Sequence, residues 1–99
     1  MLSFSQTLFA LLGLVGRRII VTATPESSAS GVVAYGTLRE GAGLVRADDA
    51  TAGEALYFAL EEGGGFYLRR ADFRGACVEG EDRLRIDLDG LTLTVGGLV

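Results

Sequence analysis

Residues 83–95 read RLRIDLDGLTLTV, and this stretch decides the fold. Apolar and polar residues alternate on both sides of Asp89-Gly90, which is typical of two strands joined by a two-residue type I′ turn. The expected cross-strand pairs are Leu88 with Leu91, Ile86 with Leu93, Leu84 with Val95, Arg85 with Thr94, and Asp87 with Thr92. The six apolar side chains share one face, so the stretch predicts a ribbon that covers a core and exposes polar groups on its other face.

The same alternation extends upstream to residue 17. Strands are predicted over 17–24, 31–38 and 44–47, and Gly36 marks a place where a barrel strand can bend. The segment 54–61 has helix-favouring composition, but Leu56, Phe58 and Leu60 alternate, so we interpret it as a strand. The three glycines that follow and the run 66–70 then predict a hairpin.

The beginning of the chain has helical spacing. Ser3 and Gln6 have the spacing of a capping box, apolar residues recur from Phe4 at intervals of four and three, and Gly13 is placed as a left-handed C-cap. These signals predict an amphipathic helix over 3–12. The apolar run 8–15 is shorter than the roughly 20 residues of a membrane span and has no basic segment before it. We therefore expect a retained helix and no membrane association.

Six or seven short strands without interleaved helices favour a closed or nearly closed antiparallel barrel. A chain of 99 residues is the size of one domain, with 48% hydrophobic and 22% charged residues. We therefore predict a single domain over 1–99 that is mostly β. A short N-terminal helix precedes a small SH3-like antiparallel barrel over 17–99.

The chemistry available to the chain is limited. It has no His and one cysteine, Cys77, so an internal disulfide and a thiolate zinc site are excluded, and the commonest general base is missing. The acidic pairs, including Asp48 with Asp49 and Glu61 with Glu62, border predicted turns where charges meet solvent. We predict no enzymatic activity, no cofactor and no metal, and we expect a reducing, cytoplasmic location.

Basic and aromatic residues cluster in one region. The candidate ligand-binding or RNA-binding residues are Tyr67, Arg69, Arg70, Phe73 and Arg74. Such interleaving supplies base stacking and phosphate neutralisation to single-stranded nucleic acid. The alternative is that these are strand-edge residues paired with acidic neighbours. A net charge of −4 and a pI near 4.6 disfavour general nucleic-acid binding.

The order of elements resembles the Sm-like family. After the helix, Gly16, Ile19 and Val21 match the pattern G-x-x-h-x-V, residues 35–38 read YGTL like the family's G-x-L strand, and Leu44, Val45 and Asp48 are similar to its third strand and acidic turn. In the second motif, Arg74, Gly75 and Val78 resemble the family's R-G followed by an apolar residue, and Leu68 with Arg69 offers a competing register.

The resemblance implies an Sm-like barrel that assembles into rings through strand edges. It implies the family's base recognition only in part. The loop 40–43 lacks the Asp and Asn with which the family binds uridine, and of the base-binding residues only an arginine is retained. Two functions follow. We favour a non-catalytic, homo-oligomeric assembly or interaction module whose partner is a second copy. The alternative is an RNA-binding Sm-like protein.

Overall fold

The computed structural model describes residues 1–28, 30–40, 43–46 and 54–97. Within these residues one helix, α1 (Phe4–Leu12), is followed by eight strands: β1 (Arg18–Pro25), β2 (Val32–Thr37), β3 (Gly43–Arg46), β4 (Glu54–Ala59), β5 (Gly65–Arg69), β6 (Phe73–Glu79), β7 (Arg83–Leu88) and β8 (Leu91–Gly97). A 3-10 turn over Arg70–Asp72 joins β5 to β6. The prediction of a mostly β chain with one short N-terminal helix is confirmed.

The strands form two antiparallel sheets. The larger has the order β2-β1-β8-β7-β6 and the smaller the order β3-β4-β5. They meet where Leu38 bridges Leu60. Next to this bridge the Arg39 N–H donates to the Ala59 carbonyl at 2.9 Å, and the Glu61 N–H donates to the Thr37 carbonyl at 2.9 Å. Over the described residues the strands do not close into one continuous barrel.

The hairpin of β7 and β8 has the predicted register, and all five expected pairs are present. Its turn differs from the type I′ prediction. Among the described residues only glycines have positive φ, so Asp89 is not left-handed, whereas Gly90 has φ 73°. A single left-handed residue in the second turn position is the pattern of a type II turn. Hydrogen bonds from outside the hairpin hold both peptide groups: Asp89 N–H to Asp72 at 2.8 Å, and Glu26 N–H to Gly90 at 3.0 Å.

Helix α1 begins with the predicted capping box. The Ser3 hydroxyl accepts the Gln6 N–H at 3.1 Å, and the Gln6 side chain accepts the Ser3 N–H at 2.8 Å. The predicted left-handed cap at Gly13 is wrong, because its φ is −66°. The left-handed residue is Gly16, whose N–H donates to Leu38 at 2.8 Å and directs the chain into β1. No helix in the described part of the chain combines the length and apolarity that a membrane crossing requires.

The core lies between the two sheets and under the helix. Five of the six apolar side chains predicted to face inward from β7 and β8 are buried, and the sixth, Leu91, is half-buried beside the turn. The ambiguous segment 54–61 is a strand, as predicted, over Glu54–Ala59. Its Phe58 stacks on Phe66 of β5 with ring centroids 5.1 Å apart. Full burial of each such side chain contributes about 1.5–3 kcal/mol.

Candidate interaction surfaces

Two of the five candidate binding residues lie together on β5. Phe66 and Leu68 are buried, so Tyr67 and Arg69 occupy the opposite, outward face of the strand. Both line a cleft of about 340 Å³ whose other walls are mainly apolar side chains of the larger sheet. Arg69 lies 3.8 Å from the carboxylate of Asp72 on the same rim. This cleft brings an aromatic and a basic candidate together on an outward surface.

Two other candidates are used in packing the helix. The Arg70 guanidinium lies 4.6 Å from the centre of the Phe4 ring, a cation–π contact. Phe73 meets the same ring edge-on, with centroids 5.4 Å apart. Phe4 is buried, so Phe73 joins α1 to β6 and is occupied by an intramolecular contact.

The last candidate, Arg74, is separate from the others. Phe73 pairs with Leu88 and Gly75 with Asp87, so Arg74 is the extra residue of a β-bulge in β6. Its guanidinium contacts the Asp89 carboxylate at 2.7 Å. The surrounding cleft of about 490 Å³ also contains Glu26, Arg85 and Asp87. The five candidates therefore lie in three places and do not form one continuous stacking surface.

Several acidic residues at the turns contact basic groups. Asp82 lies 3.5 Å from Arg17, and Glu79 lies 3.7 Å from Arg85. Asp48 and Asp49 are outside the described residues. Within the described ranges, no three side chains of the metal-ligating types come together as a metal site.

The single cysteine, Cys77, is half-buried in β6. It lies opposite Arg85 of β7, so its surroundings are less apolar than those of a cysteine in the core.

A feature that the sequence analysis missed is the edge formed by β2. This strand ends the larger sheet and carries large exposed apolar side chains on both faces: Val32 is 68% exposed, Val33 56% and Tyr35 65%. The sequence signal is the run GVVAY at 31–35, which has no charged side chain to mark a solvent face. Edge strands usually carry charges or proline that prevent pairing with another chain.

Hydrogen bonds at the end of β2 show which backbone groups face outward. The Leu38 N–H donates to Arg17 at 3.1 Å, so residue 38 faces the chain leading into β1. The Thr37 N–H instead donates to the Glu62 carboxylate, at 2.8 Å to one oxygen and 3.2 Å to the other. Backbone direction alternates along an antiparallel strand. Val33 and Tyr35 therefore direct their N–H and C=O groups to the open edge, where no described strand pairs with them.

Glu62 closes one end of this edge. Its carboxylate occupies the position that a paired strand would take at Thr37, and the hydrogen bond from that backbone lowers the pKa of Glu62 against an opposing desolvation effect. Gly36 makes the contact possible, because any Cβ there would overlap the Glu62 carboxylate. The open part of the edge therefore runs from Val32 to Tyr35.

The opposite edge of the sheet, β6, is contacted by the beginning of the chain. Leu2 bridges Ala76, and its N–H donates to the Ala76 carbonyl at 2.7 Å. The Met1 side chain lies over Gly75, where a Cβ would meet its sulfur. The two edges of the larger sheet thus differ, because the first residues of the chain contact this one at Gly75 and Ala76, whereas no described segment pairs with β2 from Val32 to Tyr35.

Comparisons with known proteins give no match to a family model, to a curated protein or to a solved structure.

Proposed function

We propose that this chain is a non-catalytic assembly module that forms a homo-oligomer by pairing the edge of β2 with the same edge of a second copy. The fold we propose is a small SH3-like barrel of the Sm-like type, opened between its two sheets, and the location is the cytoplasm. Support for a module without catalysis or cofactor is chemical: the sequence has no His, and the side chains of Glu62, Glu79 and Asp82 contact arginines or a backbone amide.

The open edge of β2 carries this proposal. Backbone donors and acceptors at Val33 and Tyr35 face outward beside exposed apolar side chains. An edge strand of this kind is a template for strand addition, in which main-chain hydrogen bonds supply affinity and side chains supply register. The chain itself contains the complementary surface, because two copies of one edge can pair about a twofold axis.

The register follows from the two outward-facing residues. A twofold axis at Ala34 sets Val33 opposite Tyr35 of the second copy, and Tyr35 opposite Val33. Each outward-facing residue then exchanges two backbone hydrogen bonds with its partner. Pairs of an aromatic and a β-branched residue stabilise neighbouring strands, and the small side chain of Ala34 leaves room at the axis. Glu62 limits the pairing because it already occupies the position at Thr37.

The test is the mass of the assembly as a function of concentration, measured by sedimentation velocity on two matched double variants. Val33→Lys/Tyr35→Lys sets lysine opposite lysine in both pairs and is expected to abolish the association through β2, so that the assembly mass falls below that of the wild-type chain. Val33→Lys/Tyr35→Glu sets lysine opposite glutamate and is expected to restore it. Both positions are exposed, so both variants should fold.

The control is Ser27→Lys/Ser28→Lys, which adds the same two positive charges at exposed positions in the segment after β1. A Lys/Lys variant that associates like the wild-type chain would overturn the proposal. Equal loss of association in the Lys/Lys and Lys/Glu variants would overturn the register about Ala34.

The RNA-binding alternative has one supporting observation, the shared cleft of Tyr67 and Arg69. The remaining candidates support it less, because Phe73 packs on Phe4 and Arg74 contacts Asp89. Titration with uridine-rich and adenine-rich oligonucleotides at low salt tests it, since phosphate contacts are strongest there.

A further inference from the structure

The outer face of α1 is an apolar surface that the proposed β2 pairing does not use. The helix buries Phe4, Thr7 and Leu11 against the sheet, and it presents Phe9, 80% exposed, on the opposite side. No charged side chain occurs before Arg17. A surface helix normally carries charged residues on its solvent face, and this one carries an aromatic ring.

A groove lies beside this face. Ala10, Gly13, Leu14, Val78 and the buried Leu84 form its apolar part. The charged residues Arg17, Glu81, Asp82 and Arg83 line the rest. The Arg17 and Asp82 ion pair, 3.5 Å long, stands at its rim. The groove has a volume of about 180 Å³. An apolar cavity of about 150 Å³ holds one benzene molecule, so the groove has room for one aromatic side chain.

We infer that a second copy of this chain binds here, with Phe9 of each copy inserted into the groove of the other. Phe9 and the groove residue Ala10 are adjacent on the helix, and Gly13, which also lines the groove, lets a second backbone approach closely. A twofold axis therefore fills both grooves at once. A chain with net charge −4 repels its copies, but the helix carries no charged side chain and the two arginines and two carboxylates of the groove balance, so contact here adds little repulsion.

This interface goes beyond the β2 pairing and lies on the other side of the molecule. Helix α1 packs at β6, whereas β2 ends the same sheet at its opposite edge. Two different twofold interfaces on one chain build assemblies larger than a dimer. With both in place, the wild-type chain is expected to form a species of four chains or more at high concentration.

The experiment uses sedimentation velocity in the Val33→Lys/Tyr35→Lys background, where strand pairing is removed. This variant is expected to remain a dimer through α1. Adding Phe9→Ser should weaken that dimer about 100-fold or more, because two buried aromatic side chains are lost. Adding Val78→Arg, which blocks a groove wall, should have the same effect. The control is Leu12→Ser on another flank of the helix, half-exposed and outside the groove, which should leave the dimer intact.

Mixing adds a second readout. In the same background, the Phe9→Ser chain keeps its groove and the Val78→Arg chain keeps its ring, so an equimolar mixture should form a heterodimer that neither forms alone. A Lys/Lys variant that is already monomeric would overturn this inference and leave the β2 pairing standing. A wild-type dimer broken by Phe9→Ser but not by Lys/Lys would support it and refute the β2 pairing.

A lipid surface is the alternative occupant of the apolar face. Wild-type chain that stays monomeric, but binds vesicles of phosphatidylcholine and phosphatidylglycerol through Phe9, would overturn the inference.

Discussion

The carboxylate of Glu62 accepts the backbone N–H of Thr37 at 2.8 Å, in the position that a neighbouring strand would occupy. A side chain from the loop after β4 thus ends the accessible edge of β2. The contact is exposed to solvent, and it is made at Thr37, the last residue of the strand. It limits how far the proposed strand pairing could extend, and the hydrogen bond lowers the pKa of Glu62.

Replacing Glu62 with Gln tests the pH dependence. The folded-state pKa of Glu62 lies below its ordinary value because the ionised carboxylate accepts the Thr37 N–H. Its contribution to stability is therefore complete above the ordinary glutamate pKa and is lost as the pH falls through the lowered folded-state pKa. We expect Glu62→Gln to lower the free energy of unfolding at pH 7, and the difference from wild type to shrink on acidification.

Chemical denaturation at a series of pH values measures this difference. Glu61→Gln makes the same charge change one residue away and is the matched control. An equal effect of both substitutions would show that the carboxylate contact with Thr37 contributes nothing.

Gly36 and Glu62 should be energetically coupled. A Cβ at residue 36 would overlap the Glu62 carboxylate, so Gly36→Ala should displace it and destabilise the chain. In a Glu62→Ala background the same substitution should be neutral or stabilising, because alanine costs less backbone entropy than glycine in a strand. A double-mutant cycle by urea denaturation measures the coupling. Additive effects would contradict the structural contact.

The core of the smaller sheet should respond strongly to truncation. Leu68 is fully buried on β5, and Leu68→Ala should cost about 2–5 kcal/mol of unfolding free energy. Its neighbour Tyr67 points outward and is 60% exposed, so Tyr67→Ala should cost much less. Thermal and chemical denaturation of the pair measure the difference. Similar losses would show that β5 has the opposite face turned inward.

The capping box should stabilise the beginning of the chain. Ser3→Ala removes the acceptor for the Gln6 N–H, and we expect a loss of about 1 kcal/mol. Ser5→Ala, an exposed position two residues along the chain, is the control. Urea denaturation measures both losses, as a shift of the midpoint with an unchanged slope of unfolding free energy against urea concentration. No difference between them would mean that α1 does not take part in the cooperative unit.

Arg74 should be dispensable for both stability and nucleic-acid binding. Its ion pair with Asp89 is exposed on both sides, and such pairs contribute about 0–1 kcal/mol. We expect Arg74→Ala to change unfolding by no more than that, and to leave the response to short RNA at low salt the same as wild type. A selective loss of RNA binding in this variant would support the alternative function.

The sequence predicts the fold where alternation is regular. The β7 and β8 register could be read from residues 83–95, because a one-residue shift would turn every apolar side chain to solvent. The composition of segment 54–61 favours a helix. The stacking of Phe58 on Phe66 is the kind of tertiary contact that overrides such a preference. The alternation does not predict β6 as a strand, because the bulge at Arg74 interrupts the period.

The surfaces were harder to predict than the strands. Sequence proximity grouped Phe73 with the arginines, but the ring packs on Phe4, a residue 69 positions earlier that only the fold brings near. The open edge of β2 depends on which strand ends the sheet, and that is a property of topology. The left-handed conformation predicted at Gly13 is found at Gly16, because the Gly16 N–H donates to Leu38 as the chain enters β1.

The bridge from Leu2 to Ala76 has a consequence for how far such sheets can grow. Two copies joined at β2 would form a ten-stranded sheet whose outer margins are both β6, and each margin is protected where the chain's own first residues lie. Elongation strand by strand, as in amyloid, would stop after one addition. Deleting the first two residues would remove that stop and favour fibres.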